Sequence, residues 1–168
     1  GRIRALRRRG IPGWGVFTDK ALQGGGPLID LGVHMIDIAL YLMKFPKIKT
    51  VLASSYTKIG NVKNNGTLGK WNPEKYDIED FLTAHIKFEN GATVSLETSF
   101  ALNIKEKATI MNVELFGTVF FNDTATTEIY TDSNGELVDI VKLKITFCKK
   151  HKCFCKKSNK IIKIILLM

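Results

Sequence analysis

The sequence predicts an α+β domain in which one amphipathic helix packs on one face of an open, mainly antiparallel β-sheet. Three observations carry this expectation. Leu28, Leu31, Met35, Ile38 and Leu42 recur at three- and four-residue steps, the period of a helix with one buried face. Beyond Thr50 the apolar period drops to two, as half-buried strands require. Asn90-Gly91 then separates two alternating runs, a pairing that marks a tight hairpin and therefore antiparallel neighbours.

Taken in order, residues 1–26 mix an arginine cluster (Arg2, Arg4, Arg7, Arg8, Arg9) with Gly10, Pro12, Gly13, Gly15 and the triplet Gly24-Gly25-Gly26, and read as a loop. Trp14 and Phe17 are large for such a segment, so it either folds over a site or is anchored to the core by them. The helix is expected over about 27–44. Pro27 suits its first turn because the missing N–H has no helical acceptor there, and Phe45-Pro46 ends it. A second, polar stripe of Asp30, His34, Asp37 and Tyr41 runs along the same helix. Strands follow at 50–57, 80–88, 93–102 and 108–116, with a polar excursion at 58–76. A last hairpin joins Ile129-Tyr130 to 137–141 around Ser133-Asn134-Gly135.

Composition narrows the classes. A chain of 168 residues with 45% hydrophobic and 24% charged residues can bury one core and is not disordered as a whole. The formal charge of +9 is uneven: residues 142–168 hold nine lysines and no acidic residue, whereas 1–141 hold 16 basic and 16 acidic residues. The basicity belongs to the tail and does not mark the body as a nucleic-acid binder. All three cysteines lie in that tail, and a cysteine-free body fits a reducing compartment, here expected to be the cytoplasm. No apolar run approaches the ~20 residues of a membrane-spanning helix, and the arginine-rich start does not read as a signal peptide. Cys148, His151, Cys153 and Cys155 are zinc-ligand types, but ligands one residue apart rarely close a tetrahedral chelate, so no metal site is expected.

Asp30 and His34 are four residues apart, on one helix face. A carboxylate beside an imidazole orients the ring and favours its protonated form, which suits a histidine that gives and takes a proton near neutral pH. Spacing alone leaves a second reading open, a satisfied His–Asp pair at a packing site. The stretch from Gly24 through Asp30-Leu-Gly-Val-His34-Met-Ile-Asp37 to Met43 resembles the second-domain signature of the Gfo/Idh/MocA oxidoreductases. Asp77-Ile-Glu-Asp80-Phe, Ile86-Lys-Phe-Glu-Asn-Gly-Ala-Thr-Val-Ser-Leu-Glu97 and Asn112-Val-Glu-Leu-Phe-Gly117-Thr118 are similar to the family's later motifs, in the same order.

The resemblance implies a two-domain enzyme. An amino-terminal Rossmann domain binds NAD or NADP, and an α+β domain holds a sugar or polyol and often assembles through its open sheet. Hydride passes between the nicotinamide and a hydroxyl-bearing carbon. His34 is then the acid/base, Asp30 orients it or holds the substrate, and Trp14 and Arg9 lie at the substrate mouth. Asp37 fits a packing role.

This chain has no Gly-x-Gly-x-x-Gly turn and no Glu-Lys-Pro segment. On the resemblance both belong upstream of Gly1, the Rossmann domain is absent from this chain, and the chain alone is expected to be inactive. The alternative is a non-catalytic oligomerisation or carbohydrate-binding module of the same fold. A basic nucleic-acid binder rests wholly on the tail and is not expected.

Residues 122–131 read Asn-Asp-Thr-Ala-Thr-Thr-Glu-Ile-Tyr-Thr, the first-frame translation of the common sequencing-adapter oligonucleotide AATGATACGGCGACCACCGAGATCTACAC. The agreement points to an adapter-derived artefact at 119–131, with a genuine polar loop and strand as the alternative. The expected organisation is therefore a substrate and assembly domain over 1–141 and a Lys/Cys-rich tail over 142–168.

Overall fold

The computed structural model of the chain describes residues 1–63, 66–105 and 109–116 in full, and the backbone of 129–131 and 137–143. Its elements are β1 (Arg2–Leu6), α1 (Lys20–Gln23), a π-helical turn (Leu28–Gly32), α2 (Val33–Leu42), β2 (Ile48–Tyr56), a 3₁₀ turn (Pro73–Lys75), β3 (Phe81–Phe88), β4 (Thr93–Ser99), β5 (Ile110–Phe116), β6 (Ile129–Thr131) and β7 (Leu137–Leu143). The strands form one sheet in the order β2-β3-β4-β1-β5-β7-β6. Only β1 and β4 run parallel; the other pairings are antiparallel. The architecture is thus the expected α+β one, an open and mainly antiparallel sheet with the helix on one face.

The opening segment departs from expectation. Residues 2–6 are a strand in the interior of the sheet, between β4 and β5. Arg2 and Arg4 alternate with Ile3 and Ala5, so the apolar pair faces the helix, buried, while the arginines face away. Arg4 is held on the open face by Asn112 and Glu114 of β5, its Nε donating to Asn112 Oδ1 at 3.1 Å. A five-residue alternation was hidden by the surrounding glycines and arginines.

The core lies between the sheet and the helix. Ile3, Leu82, Ile86, Leu96 and Val113 from the sheet meet Leu28, Leu31, Met35, Ile36, Ala39 and Leu40. The π turn shifts the helix phase. The N–H of Val33 donates to the C=O of Leu28, five residues back, which inserts one residue into the winding. After it the buried positions are 35, 36, 39 and 40, and the expected Ile38 and Leu42 are only partly buried against the core. The polar stripe faces outward: Asp30 and Asp37 are half-buried, His34 and Tyr41 exposed.

The hairpin at Asn90-Gly91 forms as expected. Gly91 has φ +87°, a left-handed value that favours glycine, and Asn90 Oδ1 accepts from the Ala92 N–H at 3.1 Å.

The stretch Lys20–Leu42, at 23 residues and mean hydropathy 1.2, is long and apolar enough to cross a membrane, more than the sequence reading allowed. Its apolar side chains, however, are those that close the core on the sheet. The suspected insertion at 119–131 lies outside the described residues except for the backbone of β6. The tail beyond Leu143, with Cys148, His151, Cys153 and Cys155, lies wholly outside them.

Candidate active site

The site is built where the end of β1 meets the start of the helix. Arg7, the residue after β1, donates its backbone N–H to the Ser99 carbonyl at 3.0 Å, so it inherits the sheet's rigidity. Its guanidinium lies 5.7 Å from the centroid of the Phe100 ring and donates through Nη1 to the Gly10 carbonyl at 3.3 Å. The same Nη1 is 3.7 Å from Oδ2 of Asp30, and both side chains are about three-quarters covered. Asp30 sits in the π turn, its N–H bonded to the Gly26 carbonyl at 3.2 Å.

The electrostatics follow from this half-burial. Burial pushes the Asp30 carboxyl above the usual carboxylate range, and the charges of Arg7 and, to a lesser degree, His34 pull it part of the way back. Burial likewise lowers the Arg7 pKa, and Asp30 offsets part of that change. His34, one turn further along, is exposed. It is therefore not a buried packing histidine. The arrangement is a solvent-accessible imidazole in the field of a carboxylate that is itself held by a fixed guanidinium, a geometry suited to moving a proton.

Arg9 lies on the far side of the same cluster. Its Nη2 donates to Asn103 Oδ1 at 2.7 Å and its Nη1 to the Arg8 carbonyl at 3.2 Å. Arg7, Arg8, Arg9 and Gly10 line a cavity of about 400 Å³ together with Thr67, Leu68 and Thr109. The loop carrying Thr67 is tied down: the N–H and hydroxyl of Thr67 both donate to the Arg9 carbonyl, and Gly13 N–H donates to the Leu68 carbonyl at 2.7 Å. Arg7 thus connects the cavity wall to the Asp30–His34 pair. Trp14 stands apart from this group. Its ring is 54% exposed and packs edge-on to Phe17 at 6.2 Å between centroids. Among the described residues its ring partner is Phe17, not Asp30 or Arg9.

Among the described residues no group of three or more His, Cys, Asp or Glu is placed to hold a metal. The described residues show no glycine-rich phosphate cradle, so none of them is assigned to hold a nucleotide.

Two groups escaped the sequence reading. Arg7 was seen only as one of a cluster, and its partnership with Asp30 has no sequence signature. Glu79 was part of a motif, yet its role is visible only here: its carboxylate accepts from the N–H groups of Gly26 (2.9 Å) and Leu28 (3.4 Å) at the start of the π turn.

Comparison with known proteins gives the family. Residues 2–119 match the family model described as the GFO/IDH/MocA C-terminal domain. The chain is 51% identical over 148 residues to D-glucoside 3-dehydrogenase of Escherichia coli (strain K12), covering 88% of this chain and 42% of that protein. Among solved structures it is similar to apo levoglucosan dehydrogenase (18% identity, TM-score 0.55, 98% of this chain and 48% of that one). It is also similar to levoglucosan dehydrogenase in complex with NADH and levoglucosan (24% identity, TM-score 0.51, 67% and 28%). The chain therefore spans less than half the length of these relatives. With the motifs, the fold and the family model in agreement, the chain belongs to the Gfo/Idh/MocA family and carries its C-terminal domain.

Proposed function

We propose that this chain is the sugar-facing part of an NAD(P)-dependent oxidoreductase acting on a hydroxyl-bearing carbon of a sugar or polyol. The observation that carries the reading is His34: an exposed imidazole one turn from a half-buried carboxylate that is paired to Arg7. In the oxidative direction His34 takes the proton of the reacting hydroxyl as the hydride leaves the carbon that bears it. Asp30 stabilises the imidazolium that forms, and in the reverse direction His34 returns the proton to the carbonyl oxygen. The nicotinamide, when bound, exchanges the hydride. Arg9 in the cavity wall and the exposed ring of Trp14 contact the sugar, the first through its guanidinium and the second by stacking on an apolar ring face.

In this reading residues 1–141 form a substrate and assembly domain, and the chain by itself turns nothing over, because the cofactor is held by a nucleotide-binding domain. The similarity to D-glucoside 3-dehydrogenase supports a sugar substrate. The open sheet face supports a homo-oligomer: Leu52 is 71% exposed there, and Tyr56 stacks on Phe81 at 5.8 Å between centroids. The cysteine-free body supports a cytoplasmic location, and its zero net charge argues against nucleic acid as a partner.

The test is His34→Ala in the complete gene product. Turnover is expected to fall about 100-fold or more, with cofactor affinity nearly unchanged. Unchanged turnover would leave the non-catalytic assembly module as the better reading.

A further inference from the structure

We infer that Glu79 is the positioning residue of the acid/base helix: its carboxylate fixes the start of the π turn and, through Gly26, the place of Asp30. The inference rests on the reading of Asp30 and His34 as the proton-handling pair.

The start of this helix has an unusual gap. Pro27, its capping residue, makes no side-chain capping bond and has no N–H. The two N–H groups that flank it, on Gly26 and Leu28, are both taken by the single carboxylate of Glu79, one by each oxygen. The Gly26 carbonyl in turn accepts from the N–H groups of Ile29 (3.1 Å) and Asp30 (3.2 Å). The path from Glu79 to Asp30 therefore runs through a single residue, Gly26, whose N–H is held by Glu79 and whose C=O holds Asp30. Gly26 also lies hard against the same residue, since a Cβ there would collide with the Glu79 carbonyl oxygen.

Glu79 is itself rigidly mounted. The next residue, Asp80, is 1% exposed and accepts from the N–H groups of Lys58, Ile59 and Gly60. Asp80 N–H donates to the Tyr56 carbonyl and its own carbonyl accepts from Phe100, both at 2.9 Å. Thr98 of β4 adds a second tie, its hydroxyl donating to the Pro27 carbonyl at 3.0 Å. The helix start is thus bolted to the sheet by Glu79 and Thr98, while Arg7 aims the Asp30 side chain. Charge also favours the arrangement, because a carboxylate complements the positive end of a helix.

Glu79→Gln keeps the shape but leaves one accepting oxygen, so one N–H faces an amide NH₂; Glu79→Ala removes both acceptors. In the complete gene product, kcat is expected to fall about tenfold for the glutamine and about 100-fold for the alanine variant, as small misplacements of reacting groups do, with cofactor binding unchanged. In this chain, amide exchange at Asp30 should accelerate about tenfold or more in Glu79→Gln. Glu114→Gln is the control: it weakens the contact to Arg4 on the open face and lowers Tm, but should leave kcat as it was. In the His34→Ala background Glu79→Gln should cost nothing further.

Wild-type kcat in both Glu79 variants would overturn the inference. So would an equal loss of kcat in Glu114→Gln, a fully additive loss with His34→Ala, or unchanged exchange at Asp30. Retained turnover in His34→Ala would instead overturn the acid/base reading, and exchange at Asp30 would still decide the role of Glu79.

Discussion

Arg7 Nη1 lies 3.7 Å from Asp30 Oδ2, linking the exit of the sheet's interior strand to the one irregular turn of the helix. The strand is fixed on both sides by backbone bonds, so the guanidinium is a stationary charge. Asp30 is consequently held toward Arg7 and also feels the charge of His34.

Arg7→Ala removes the larger of the two charges that lower the Asp30 pKa, so that pKa should rise further. Carboxyl-carbon NMR titration of Asp30 reads this directly. The acid limb of the pH–rate profile should move the same way; an Asp30 titration identical to wild type would show that the pair is not coupled.

Asp30 should also cost stability at neutral pH. Its folded pKa is raised above the ordinary value of 3.8, so the folded state binds that proton more tightly than the unfolded state. Below 3.8 the carboxyl is protonated in both states and costs nothing. As pH rises through 3.8 toward the folded pKa, ionisation favours the unfolded chain and stability is lost. Asp30→Asn is therefore expected to raise Tm modestly at pH 7, with the gain vanishing near pH 3, while turnover is lost. Denaturation curves of the two proteins across this range check it. The side chain is partly exposed, so screening keeps the gain small.

Trp14→Ala should act on sugar binding alone. An exposed ring stacked on a sugar is expected to contribute about tenfold or less in KM, with kcat and cofactor affinity unchanged. Sugar-dependent quenching of the indole fluorescence gives a second reading, and equal KM values would remove Trp14 from the site.

Leu52→Glu combined with Tyr56→Glu places two carboxylates on the exposed face of edge strand β2, Tyr56 being directly opposite Phe81. On the proposed assembly through this face, sedimentation should show oligomers for the unaltered protein and monomers for the double variant, with helix content unchanged. An unaltered assembly would mean that another surface makes the contact.

Reading the gene through codons 119–131 from genomic DNA should give a sequence without the ten residues 122–131. Their presence in the locus would make them a genuine loop and strand.

The helix, the hairpin at Asn90-Gly91 and the strands around it were legible because their apolar periods are local properties of the chain. The four-residue spacing of Asp30 and His34 is likewise a local pattern, but the π turn between them and the partnership of Asp30 with Arg7 are not. β1 was not legible. Arg2-Ile3-Arg4-Ala5-Leu6 alternates over too few residues to stand out from a turn-rich surrounding, and its parallel partner β4 lies far along the chain. The phase shift at Leu28–Gly32 was equally hidden, because a π turn adds one residue to the winding without changing composition.

The sequence by itself determined the fold class, the helix and its two stripes, and the neutral, cysteine-free character of the body, all consequences of residue type and short-range period. The tertiary structure alone decided that an arginine after the first strand faces Asp30 and that Glu79 holds the turn on which Asp30 sits. Those contacts join residues far apart in the chain, and no local pattern encodes them, because only the closing of the sheet against the helix brings the charges within reach.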